Sequence, residues 1–177
     1  MDTAEPAAVA TPPRSVASHV IEDGFFAGVI GAGLVALWYL ILDVVAQRPL
    51  FTPSMLGAVL FKGATDPSVV QIQPQLVAWY SALHLLVFLA VGFIASWLAV
   101  QFERFPTVGV AILFLFVIFE TGFFVFAFTV GRTILGTLGL WTIGVANLVA
   151  AAGMATYLPR RHPTALRNMN RIWTDQE

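Results

Sequence analysis

Four stretches of the chain are almost unbroken in apolar residues, over about 24–47, 76–100, 107–130 and 138–158. Each is too long for a strand, and at 1.5 Å of rise per residue each crosses roughly 30 Å of hydrocarbon as a helix. The pattern predicts an all-α integral membrane protein built as a bundle of four transmembrane helices. Charge is nearly excluded from these spans. The first keeps Asp43 near one end, and the third carries Glu120 inside the phenylalanine-rich run "FLFVIFETGFFVFAF". The second adds His84 and the fourth Asn147.

Two shorter stretches have helical signals without the length to span. In "TPSMLGAVLFKG", Thr52 is the expected N-cap, Pro53 suits the first helical position and Gly63 can end the helix. Met55, Leu56, Val59 and Leu60 would then form an apolar stripe resting on the membrane surface or on the bundle, a short external interfacial helix. The tail "RRHPTALRNMNRIWTDQE" repeats Leu166, Met169, Ile172 and Trp173 at helical spacing, with Arg167 and Arg171 on other faces. That predicts a C-terminal amphipathic helix at the headgroups. Residues 1–20 are rich in Ala and Pro and lack the basic and apolar regions of a signal peptide, so they are expected to be a disordered tail. The domains expected are a tail over 1–20, a transmembrane domain over 21–158 and a basic tail over 159–177.

Composition agrees with the pattern, since 58% hydrophobic residues, 11% charged residues and a mean hydropathy of +0.82 lie outside the soluble range. An even number of spans puts both termini on one side, together with the "QFERFP" turn. That side holds Arg14, Arg104, Arg160, Arg161, Arg167 and Arg171, against Arg48, Lys62 and Arg132 on the other. Six basic residues against three predict cytoplasmic termini, and the expected setting is a multi-pass protein of a bacterial inner membrane. Trp79, Tyr80 and Trp141 fall toward the outer interface, and Trp97 and Tyr157 toward the inner one; Trp38 and Tyr39 lie deeper than an interfacial belt requires.

Packing between spans needs small residues, because lipid tails are as apolar as leucine and only close approach favours association. The first span offers Gly24, Gly28, Ala32 and Ala36 at four-residue intervals, and the fourth offers Gly144 and Ala151 near Asn147 and Met154. Counted from the outer end of each span, Glu120 lies about 15 Å deep, Asn147 about 13 Å, His84 about 12 Å and Asp43 about 6 Å. Three of these share a level. A lipid-facing carboxylate is costly, so His84, Glu120 and Asn147 are expected to form a buried polar layer, with Asp43 and Arg132 as ionisable groups at the outer end.

Candidate chemistry is sparse. The chain has no cysteine, which removes disulfides, thiolate metal sites and thiol nucleophiles. It has no G-x-S-x-G, no phosphate loop and no H-E-x-x-H, and the glycines of "GVIGAGLVAL" lie in an apolar helix with no preceding strand. Ser81 and His84 are helix neighbours, but serine in such helices commonly bonds its own backbone. A metal held by His84, Glu120 and Asp43, or a haem or chlorophyll on His84, would need ligands from a partner, so no metal and no cofactor is expected. Four arginines in the C-terminal tail do not outweigh a net charge of −1, so no nucleic acid is expected either. What remains is a non-catalytic membrane subunit or assembly factor, with the lipid bilayer and a membrane protein or second copy as partners. The alternative is a small proton, cation or polar-solute transporter using the His84/Glu120/Asn147 layer.

Overall fold

The computed structural model describes residues 16–66, 70–104, 121, 125, 128, 136 and 138–161, and among them the regular structure is entirely helical. Four helices are resolved: α1 (Val16–Val45), α2 (Phe51–Lys62), α3 (Pro74–Arg104) and α4 (Leu140–Arg161). Three of them, α1, α3 and α4, are long and apolar enough to cross a membrane. The chain is thus a helical membrane protein with several spans. Of the predicted third span only Thr121, Val125 and Phe128 are described; each is helical and exposed. Glu120, Arg132 and the predicted C-terminal helix lie outside the described residues, as does most of the 1–20 tail. The helix of α1 begins at Val16, inside the stretch whose composition predicts disorder.

Pairings along α1 set the directions of its neighbours. Gly24 meets Phe93 and Gly92, Gly28 meets Phe88 and Leu89, and Ala32 meets His84, so residue numbers fall along α3 as they rise along α1. On another side, Asp23 meets Arg161, Val35 packs with Ala146 and Ala150, and Trp38 meets Thr142. Both α3 and α4 therefore run opposite to α1 and parallel to each other. Among the described residues α1 is the central helix, touching α3 and α4 far more than they touch one another.

The α1–α3 crossing works because three glycines remove the side chains that would hold the helices apart. A Cβ on Gly92 would sit 2.5 Å from the Gly28 amide nitrogen and closer still to the Gly24 carbonyl oxygen. One on Gly28 would lie 2.7 Å from the Phe88 carbonyl oxygen. Ala32 continues this face and is buried, whereas Ala36 is exposed. The expected four-residue stripe ends there for a geometric reason: each i to i+4 step turns about 40° around the helix, so Ala36 has moved well off the contact. On α4 the side facing α1 is Ala146, Ala150, Gly153 and Met154, where Gly153 leaves room for Ile30 and Leu34. A Cβ added at Gly144 would meet nothing within 4 Å, and Ala151 is half-buried.

Candidate functional site

At the Asp43 end, α1 and α2 are joined by a hydrogen-bonded turn. The Arg48 amide donates to the Asp43 carbonyl at 2.8 Å and the Gln47 amide to the Val44 carbonyl at 3.0 Å, with Gln47 at φ 58°. This is a Schellman ending in which glutamine occupies the left-handed position usually given to glycine. Leu50 follows at φ 67° as the N-cap of α2 and has no side-chain oxygen to offer the first turn. The oxygens come from Asp43 instead. Its carboxylate accepts the Thr52 amide at 2.8 Å and the Thr52 hydroxyl at 2.6 Å, all within a buried site.

The N-cap expected at Thr52 is therefore corrected to Leu50, and Pro53 stands third in the helix rather than first. Gly63 does end α2, at φ 65°, with its own amide on the Val59 carbonyl and that of Ala64 on the Ala58 carbonyl. Met55 and Leu56 of the expected stripe are buried against the bundle; Leu60 is exposed. Ser54 ties the following loop down, its hydroxyl donating to the Gln71 carbonyl at 3.2 Å and accepting the Gln73 amide at 2.9 Å. Lys62 donates to the Gln73 side chain at 2.8 Å.

Beneath α2 lies an aromatic and polar cluster. Tyr80 packs against the Phe51–Met55–Leu56 core of α2 and stacks on His84 with centroids 5.8 Å apart. The His84 ring continues to Phe88 at 4.8 Å, and its Nε2 lies 3.3 Å from the Ala32 carbonyl oxygen of α1. That geometry fits an Nε2–H donor. The Thr142 hydroxyl donates to the carbonyls of Leu138 and Gly139, and its own carbonyl accepts Trp38 Nε1–H at 3.2 Å. Trp38 also meets Trp141 edge to face, which explains its depth: it is a rivet between α1 and α4, not a belt residue.

Of the expected polar layer, His84 and Asn147 are described. His84 is level with Ala32, while Asn147 follows Ala146, which packs at Val35; the two stand about one helical turn apart in depth. Phe88 packs onto the Val35–Ala146–Ala150 cluster between them. Asp43 lies near the end of α1 and accepts both of its bonds from Thr52 of α2. Among the described residues no group of three His, Asp or Glu could hold a metal ion.

The opposite end carries a polar clamp with no counterpart among the sequence expectations. Arg161 Nε donates to Asp23 at 2.7 Å and its NH2 group to Glu22 at 2.8 Å. Asp23 is 1% exposed. A charge this buried survives only when paired, and here the partner closes α4 onto α1. No protein-family model matches the chain, and no curated protein or solved structure matches it.

Proposed function

We propose that the protein is a four-span membrane protein with both termini in the cytoplasm, acting as a non-catalytic subunit or assembly factor of a larger membrane complex. The observation carrying this reading is the use made of the polar side chains in the described helices. Asp43 caps α2, His84 bonds the α1 backbone, Thr142 secures Trp38, and Asp23 is clamped by Arg161. Each joins one helix to another, and none is left facing a cavity as a reacting group. Direction supports the four-span reading, because α3 and α4 run parallel and a further crossing between them would join their ends. The basic residues support cytoplasmic termini, since the α4 end carries Arg160 and Arg161 beside the start of α1.

Extraction of the chain from native membranes in mild detergent tests the proposal. A stoichiometric membrane partner is expected to co-purify. Recovery of a monodisperse single protein, with proton or cation flux in vesicles that Glu120→Gln abolishes, would replace this reading with transport.

A further inference from the structure

An exposed stripe runs the length of α3. Trp79, Leu83, Leu86, Ala90, Ile94 and Trp97 fall within about 80° around the helix, and all are exposed. The stripe is apolar throughout and has a tryptophan at each end. Eighteen residues separate Trp79 from Trp97, a rise of about 27 Å, close to the roughly 30 Å of a hydrocarbon core. Tryptophans prefer the headgroup level on both sides of a bilayer. Spacing, exposure and residue type therefore identify lipid as what covers this face, and they place the outer headgroup layer at Trp79.

That level has a consequence for α2. Gly57 seats α2 against α3, where an added Cβ would lie 2.7 Å from the Leu76 carbonyl oxygen. One turn later Phe61 meets Trp79 edge to face, with centroids 5.7 Å apart. The last turn of α2 is thus beside Trp79, not above it in water. Its outer edge is apolar, Leu60 being 47% exposed and Phe61 44%, and joins the α3 stripe through Trp79 at 46%. Lys62 follows directly, and its bond to Gln73 uses one of three ammonium hydrogens.

We propose that the C-terminal turn of α2 is a lipid contact, with Leu60 and Phe61 inserted at the outer headgroup layer beside Trp79 and the Lys62 ammonium on a phospholipid phosphate. The inference rests on the membrane reading of α3. It makes α2 a helix with two apolar sides: Met55 and Leu56 dock on the bundle, and Leu60 and Phe61 enter lipid. Lysine at the boundary keeps its stem along the apolar surface while its head reaches the phosphates.

The cysteine-free chain makes the test direct, because single cysteines can be introduced without background. Nitroxide labels at Leu60→Cys, Phe61→Cys, Leu86→Cys and Thr65→Cys are compared in phospholipid vesicles for collision with oxygen, which favours lipid, and with a water-soluble nickel chelate. Position 86 should read as deep lipid and position 65 as water, with 60 and 61 between them. Adding Lys62→Glu should move the label at 61 toward water, and an unchanged reading would remove the phosphate contact. Positions 60 and 61 reading like 65, with 86 still deep, would overturn the inference alone. Shielding of 60 and 61 from both reagents would overturn it in favour of a protein contact. If 86 also reads as water, the membrane assignment of α3 is what fails.

Discussion

Asp23 and Asp43 sit near opposite ends of α1, and each is buried by a partner from another element. Asp43 replaces the oxygen that Leu50 lacks and so fixes where α2 begins. The expectation of a Thr52 cap failed because capping signals are sought in adjacent residues, whereas this acceptor lies nine residues earlier. Asp23 depends on a partner 138 residues away, a pairing that no local pattern announces. The two carboxylates bonded by Arg161 differ in environment, and this yields a contrast. Arg161→Gln leaves the buried Asp23 carboxyl without its cationic partner and should destabilise the protein clearly. Glu22, whose side chain is 39% exposed, forms a solvent-screened pair. Glu22→Gln should therefore cost less than about 1 kcal/mol. Unfolding of the detergent-purified variants measures both, and equal losses would show that Asp23 does not depend on Arg161.

Helices α1, α3 and α4 were legible as elements because runs of twenty or more apolar residues allow few alternatives, and both spans flanking α2 extend beyond their apolar cores. Hydrophobicity reports where lipid is, while hydrogen bonding continues the helix through "HVIED" in α1 and "VQFER" in α3. Gly24 and Gly28 were legible as a pair through their spacing. Their counterpart Gly92 was not, since an isolated glycine in an apolar run has no periodicity to mark its face. The crossing it makes gives the clearest test of how α1 and α3 associate. Gly92→Ala puts a methyl against the backbone of Gly24 and Gly28, where neither partner has a side chain to move aside. The helices must separate, with a loss on the order of 1–3 kcal/mol. Gly33→Ala, exposed and with nothing described within 4 Å, should be neutral or slightly stabilising. Similar thermal stability for the two variants in detergent would mean that the α1–α3 crossing is looser than this backbone contact implies.

At the scale of the whole molecule, the two ends of the bundle are held by different chemistry. One end is closed by the Arg161 clamp, and the other by α2 with its Asp43 cap and the aromatic cluster below it. The antiparallel pairings place the start of α1 and the end of α4 together, with the loop after α2 at the far end. In the proposed orientation, which rests on the basic-residue bias, the clamp end faces the cytoplasm. In right-side-out vesicles, a membrane-impermeant maleimide should therefore label Thr65→Cys at once and leave Arg160→Cys untouched until the membrane is opened. Both positions are exposed in the protein, so burial cannot mimic protection by the bilayer. The reverse pattern would keep the fold and invert its orientation, showing that the six-to-three arginine and lysine count does not govern insertion here. Labelling of both before opening would be more serious, because it requires that α1 and α4 do not carry their two ends to opposite sides, and the central position of α1 between two antiparallel spans would then have to be abandoned.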